Sequence, residues 1–241
     1  MTIKFIQQNV CGKDYGSEKW NRKDLDLLLD TIKEREAHVL FLTEFFYKEM
    51  IVPLKEKFSN YTIVLPKKFT DEDKDNYNIN SACILLFKKG DVEIDSNLYS
   101  LDNMLDLRYI CCDLKYQQKP IMKVLALYIP QTFNNNRMKT KKEMLISAKK
   151  YVFNNLDSSV FVAGDMNSDV DYETTSCIDE FKNLYNILLD SDLKKEPTWN
   201  GKRLDYALIS KDGGISAETH NINTNSDHCG LETILKLKAT K

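Results

Sequence analysis

Residues 160–167 read VFVAGDMN, and the fold turns on how they are parsed. Val160, Phe161 and Val162 form a short β-branched and aromatic run, with Ser158-Ser159 before it and Gly164 after it. That is the pattern of a buried strand ending at a tight turn. Asp165 and Asn167 then leave the strand end. Two residues apart on extended or turning backbone, they can face one side and offer a carboxylate and an amide to a single site. A D-x-N is also ordinary turn chemistry, because Asp and Asn bond their own backbone and tolerate unusual dihedrals. The functional reading gains weight from other stretches that end the same way, each strand-like run delivering an acid, amide, phenol or imidazole to its tip.

Upstream, residues 134–155 carry a helical period, with Met144, Leu145, Ala148, Tyr151 and Val152 on one side. Arg137, Lys139, Lys141, Lys142, Lys149 and Lys150 fall elsewhere, either as a solvated face or as a surface that tracks phosphates. Before this helix, residues 107–114 and 121–128 predict a hairpin across the polar segment 115–120. Its second arm ends at Tyr128, two residues ahead of Pro130. Residues 82–87 and 61–65 are further strands, and 67–80, with a run of charges at 71–75, reads as a solvated loop. Residues 45–58 are helical at least in part despite Pro53. HVLFLT at 38–43 is an apolar strand with Glu44 immediately beyond it, a position that asks for a metal, a cation or solvent. Asn21 is a fitting N-cap for a helix that repeats Leu25, Leu28, Leu29 and Ile32 to about Glu36. Residues 3–10 alternate loosely and are β-rich, and the first strand ends at Asn9, just before the break at Cys11-Gly12.

Downstream, 178–189 predicts a helix and 197–201 a loop, whose Trp199 reads equally as a substrate-facing aromatic or as packing. RLDYALI at 203–209 is a strand with Asp205 inside it, an odd place for a carboxylate if only packing mattered. Asn225-Ser226-Asp227-His228 precedes the closing strand 231–237. His38 and His220 lack comparable acidic company and read as structural or surface residues. No long Pro/Gly/Ser linker, internal repeat or low-complexity tract interrupts the chain, so one domain over 1–241 is the simplest account. Many short strands, with helices at intervals between them, predict an α/β sandwich of two sheets with helices outside.

The bulk numbers suit this. A chain of 241 residues buries about 70% or more of its unfolded surface without a covalent staple. A net charge of −2 excludes a globally basic coat, so any polyanion must be held by a local patch or a metal. The six cysteines, at 11, 83, 111, 112, 177 and 229, show no C-x-x-C spacing and fit reduced thiols in a cytoplasmic protein. No segment reaches the roughly 18 apolar residues of a membrane span, and no obligate protein partner is indicated.

Collected, the tip and loop residues are Asn9, Glu44, Tyr128, Asp165, Asn167, Asp205, Asp227 and His228. Hard oxygen donors without a Cys/His cluster favour Mg²⁺, with Mn²⁺ as substitute, over Zn²⁺. An acid next to a histidine, with a second acid to orient the imidazole, suits hydrolytic acid-base work. Neither a phosphate-cradling G-x-x-x-x-G-K-[ST] loop nor a G-x-S-x-G elbow is present.

Asn9-Val10, LTE at 42–44, YIP at 128–130, GDMN at 164–167, RLDY at 203–206 and SDH at 226–228, in that order, resemble the endonuclease/exonuclease/phosphatase superfamily of exonuclease III-like and DNase I-like enzymes. The resemblance runs from near the first residue to within about fifteen of the last. It implies a four-layered, DNase I-like α/β sandwich, two packed mixed β-sheets flanked by helices, with the site at one end of the sheets. It implies a Mg²⁺-dependent phosphodiester hydrolase, a nuclease acting on DNA by attack of water on phosphorus. The alternative is a phosphatase or phosphodiesterase for a small-molecule, lipid or inositol phosphate, and a third reading is a binding module that keeps the fold without turnover. On this resemblance Glu44 is the chief metal ligand, with Asn9 and Asp227 beside it. Asp165 orients or deprotonates water, and Asn167 holds that water or a phosphate oxygen. His228, steadied by Asp205, meets the phosphoryl group, and Tyr128 lies near a phosphate oxygen or the leaving group. Either Asp165 or His228 is the base. Arg137, Lys139, Lys141, Lys142 and Trp199 are the expected substrate contacts. YIPQ at 128–131 is nearer the exonuclease III-like branch, while Thr43, Phe46 and Lys202 depart from the abasic-site endonucleases.

Overall fold

The computed structural model describes residues 1–12, 16–17, 20–75, 82–90, 92–95, 98–131, 134–171, 179–211 and 214–237. Strands β1 (Thr2–Asn9), β2 (Val39–Phe45), β3 (Tyr61–Val64), β4 (Ala82–Lys88), β11 (Ile215–Ile222) and β12 (Gly230–Leu237) form one sheet in the order β11-β12-β1-β2-β4-β3. Strands β5 (Glu93–Ile94), β6 (Tyr109–Tyr116), β7 (Lys119–Tyr128), β8 (Val160–Asp165), β9 (Leu188–Asp190) and β10 (Asp205–Ser210) form the second, β5-β6-β7-β8-β10-β9. Helices α1 (Arg22–Lys33), α2 (Tyr47–Lys57) and a short α3 (Asp71–Asp75) accompany the first sheet in sequence, α4 (Asn135–Phe153) and α5 (Asp179–Asn186) the second.

Strand alternation makes the layers. Ile3, Phe5, Val39, Phe41 and Leu85 point one way from the first sheet and share a core with Val124, Ala126, Phe161, Ala163 and Ile209 of the second. Phe5 meets Phe161 edge-on across that interface, ring centres 4.7 Å apart. Ile6, Leu40, Leu42, Ile84 and Leu86 point the other way and bury against α1 and α2. Leu125, Leu127, Val162 and Leu208 do the same with α4 and α5. Because both faces of each central strand are covered, β2 and β8 read as continuous apolar runs. The result is the four-layered α/β sandwich. Among the described residues no helix is long and apolar enough to cross a membrane.

Topology gathers the strand tips. β1 runs parallel to β2, and β7 parallel to β8. Tyr128 is the register partner of Asp165, and Asp165 in turn of Asp205, the first residue of antiparallel β10. β12 starts antiparallel beside the end of β1, bringing the 226–228 segment to the same pole. At the strand ends, a side chain on Gly164 (φ 145) would run into the Leu127 carbonyl, and one on Gly12 into the Glu44 carbonyl, so both close approaches require glycine.

Several elements differ from the sequence reading. Residues 71–75 are a one-turn helix rather than loop, because Thr70 Oγ1 and the Asp73 carboxylate cap each other's backbone N–H groups. The predicted helix 178–189 ends at Asn186, and Leu188–Asp190 instead pairs with β10; residue 178 lies outside the described residues. Asp205 begins its strand rather than lying within it. The first hairpin arm sits two residues later than predicted and the second begins two residues earlier, so they turn at Gln117-Gln118, both left-handed (φ 49 and 64), as a right-twisted two-residue turn requires. Strand β11 has no counterpart in the sequence reading: its alternation covers an exposed edge with only two buried residues.

Candidate active site

Three local features aim the tip residues. Glu44 is left-handed (φ 51) where the β2–β4 pairing slips between Leu42 and Phe45, a bulge that redirects its side chain. Asn167 is left-handed too (φ 45), in the turn after β8. Residues 198–202 form a tight turn in which Thr198 and Trp199 N–H both donate to the Lys202 carbonyl, with Asn200 and Gly201 at positive φ. The Thr198 hydroxyl accepts from the N–H groups of Leu204 and Asp205, fixing the start of β10.

The side chains then connect. His228 Nδ1 lies 2.8 Å from Asp205 Oδ2, and Gln7 Nε2 donates to Asp205 Oδ1 at 2.7 Å. Asp165 Oδ1 accepts the Asn167 N–H at 2.8 Å, and its Oδ2 accepts from Asn9 Nδ2 at 3.3 Å. The Tyr128 hydroxyl donates to Glu44 Oε1 at 3.0 Å. Trp199 lies 6.1 Å, centre to centre, from the His228 ring and donates its indole N–H to Asp227 at 3.3 Å. Asn9, Glu44, Asp165, Asp205 and His228 are all at most 2% exposed, so interactions among them act in a low dielectric.

That burial sets their protonation. Burial pushes the Asp165 carboxyl up, the Asp205 charge adds to this, and the His228 charge and the Asn167 N–H oppose it, leaving it at about 7. Burial disfavours the His228 charge, but Asp205, with Asp165 and Asp227 behind it, outweighs burial and raises the imidazole to about 10. His228 is therefore an imidazolium at neutral pH, while Asp165 can hold or release a proton there. Tyr128 is held well above its ordinary range by burial first and the Glu44 charge second, against the Arg108 guanidinium.

Asp165, Asp205 and His228 bring potential ligand atoms within 4.8 Å of one another. Both carboxylates already accept hydrogen bonds at each oxygen, and the Nδ1 of the imidazole is engaged with Asp205. A cation on that trio would displace those bonds. The wider pole sets four carboxylates, Glu44, Asp165, Asp205 and Asp227, against one imidazolium, an oxygen-rich donor set that suits a hard divalent ion beside the trio.

The expected basic surface divides. Lys141 is fully buried, so it cannot belong to a solvent-facing phosphate track; its ammonium donates to the Asn167 carbonyl at 2.5 Å. Spacing carried the signal, since Lys141 lies three and four residues before Met144 and Leu145 on the same stripe. Arg137, Lys139 and Lys142 are exposed on α4. The ion pairs of Lys139 and Lys142 run to Glu143 and Glu180, both at 3.9 Å, rather than into the cluster. Sequence reasoning passed over Gln7, Thr198 and Arg108, whose guanidinium lies 4.4 Å from the centre of the Tyr128 ring. Gln7 had a signal: by strand alternation it shares the inward face of β1 with Ile3 and Phe5 on one side and Asn9 on the other.

No family model and no curated protein matches the chain by sequence. Solved structures do match in three dimensions. An endonuclease/exonuclease/phosphatase family protein from Bacteroides thetaiotaomicron superposes with a TM-score of 0.73 at 12% identity, covering 99% of each chain. D. rerio TDP2 complexed with a single-strand DNA product gives 0.70 at 14% identity, over 98% of this chain and 99% of that one. The human Nocturnin catalytic domain, with a bound sulfate, gives 0.69 at 17%, over 98% and 94%. The chain thus has the DNase I-like fold of the endonuclease/exonuclease/phosphatase superfamily.

Proposed function

We propose that the chain is a single-domain, divalent-metal-dependent phosphodiester hydrolase that cleaves nucleic acid, with DNA as the substrate. The observation that carries the reading is the buried Asp205–His228 pair beside Asp165, all within 4.8 Å, at the pole that also holds Glu44 and Tyr128. In this reading Mg²⁺, or Mn²⁺ in its place, is held by Glu44 with Asn9 and Asp227, and supplies Lewis-acid stabilisation of charge on the phosphoryl oxygens. Asp165, with its carboxyl at about 7, takes the proton from the attacking water, and Asn167 orients that water or a phosphate oxygen. His228 is already charged at neutral pH, which favours Asp165 as the base and makes the imidazolium a donor to the developing oxyanion. Asp205, with Gln7 behind it, holds the imidazole in place. Tyr128 offers its hydroxyl to a phosphate oxygen or the leaving group. Trp199 and the exposed cations Arg137, Lys139 and Lys142 contact substrate beyond the reacting centre. The DNA product in the TDP2 structure supports a nucleic-acid substrate.

A second reading is hydrolysis of a small phosphoester. It is favoured by the burial of Lys141 and by the glutamates facing Lys139 and Lys142, which thin the expected basic face. Hydrolysis of bis-p-nitrophenyl phosphate with Mg²⁺, abolished in Asp165→Ala, tests the enzyme reading; no turnover would leave a binding module. Comparing single-stranded DNA, duplex DNA, abasic duplex, RNA and phosphoinositides then separates the two substrate classes.

A further inference from the structure

Lys141 has no part in the hydrolysis described above, yet its side chain is among the largest in the protein with no exposure. It occupies the core stripe of α4, one turn before Met144 and Leu145, where an unbranched apolar residue would fill the same volume. Taking an ammonium out of water is costly unless its donors are met. One of those donors meets the Asn167 carbonyl at 2.5 Å. Asn167 stands in the left-handed region, which a non-glycine residue keeps only where its neighbours over-determine it. Three groups from three elements do so. Asp165 Oδ1 at the end of β8 accepts its N–H, the Ile129 carbonyl after β7 accepts its side-chain Nδ2 at 2.8 Å, and Lys141 from α4 holds its carbonyl. Among the described residues these bonds leave the second N–H and the Oδ1 of the Asn167 amide for another partner.

We propose that Lys141 is a positioning residue: its buried ammonium anchors the Asn167 carbonyl and so fixes the left-handed turn that aims the Asn167 amide at the phosphoryl group. The consequence for rate rests on the hydrolase reading; the geometric part does not. A packing role needs only the methylenes of Lys141, whereas positioning needs its donor, and a charged donor makes roughly twice as strong a hydrogen bond as a neutral one.

The test compares Lys141→Met, which keeps volume without a donor, and Lys141→Gln, which keeps a neutral donor, each alone and with Asn167→Ala. Turnover of bis-p-nitrophenyl phosphate with Mg²⁺ is read alongside thermal unfolding. Lys141→Met is expected to lower kcat by ~30–100-fold with KM nearly unchanged. Lys141→Gln recovers part of that loss, and both variants melt cooperatively. In the Asn167→Ala background, Lys141→Met adds less than about threefold, because the group it positions is gone. The amide NH₂ resonances of ¹⁵N-labelled protein give a readout without turnover, the Asn167 pair being assigned by its loss in Asn167→Ala. That pair shifts or broadens in Lys141→Met while the Asn21 pair stays in place. Losses that multiply in the double variant, a rise in KM with kcat intact, or an unmoved Asn167 amide would each overturn the proposal. A wild-type protein without turnover sinks the hydrolase reading alone, and the NMR comparison then decides the role of Lys141. Should Lys141→Met not melt cooperatively, Lys141→Gln carries the same comparison.

Discussion

Replacing Asp165 with Asn should remove activity and yet make the protein harder to melt. Burial and the neighbouring Asp205 charge raise the Asp165 carboxyl from 3.8 to about 7 in the folded state. Below about pH 4 the carboxyl is neutral whether folded or not, so it costs nothing. Between about pH 4 and 7 the unfolded chain releases the proton and the folded protein does not, so stability falls; above about pH 7 the penalty is complete. Taken alone, that displacement is worth about 4 kcal/mol. Asparagine keeps the acceptor for the Asn167 N–H but can turn an NH₂ toward Asn9 Nδ2, where Asp165 Oδ2 accepted at 3.3 Å. That mismatch, with the loss of a charge facing His228, takes back about 2 kcal/mol. A net gain of about 2 kcal/mol corresponds to roughly 5 °C in a chain of this size. The assay is scanning calorimetry in EDTA from about pH 4 to 8. The gap between variant and wild type should be near zero or negative at the acid end and open upward through neutrality. Excess Mg²⁺ should narrow it, because a cation near the carboxylate offsets the same penalty. A gap that is flat across this range, or that closes as pH rises, refutes the assignment of a strained carboxylate.

Other expectations follow from the same geometry. Asp205→Asn removes the strongest support for the His228 charge, so the alkaline limb of the kcat–pH profile should move from about 10 down toward neutral. Gly164→Ala drives a methyl into the Leu127 carbonyl and should cost ~3 kcal/mol or more, read as a lower urea midpoint with unchanged slope. Glu44→Gln should abolish the rise in melting temperature that Mg²⁺ gives the wild type, while leaving the metal-free melting temperature within a few degrees.

How far the sequence could be read depended on whether a residue's role is local. VFVAGDMN and HVLFLT announced central strands because both faces of β2 and β8 are buried, which leaves no alternation to misread. Asn21 announced α1 because its cap is completed within three residues, by Asp24. Edge strands were less visible: β9 is three residues long, and its place beside β10 is supported by Arg203 gripping Asp190 from thirteen residues away. The polar residues at the pole could be recognised by type and order. Their wiring could not, since Gln7 reaches Asp205 across 198 positions. Lys141 misled because its charge suggested solvent while its spacing already placed it with Met144 and Leu145.

The most direct test of the hydrolase reading is phosphodiester hydrolysis in ¹⁸O-water with Mg²⁺, comparing wild type with Glu44→Gln and Asp165→Asn. Wild-type protein should release a phosphomonoester carrying one solvent oxygen on phosphorus, and both variants should lose at least about a thousandfold in rate. Turnover that survives either substitution, or product phosphate without the label, would contradict it.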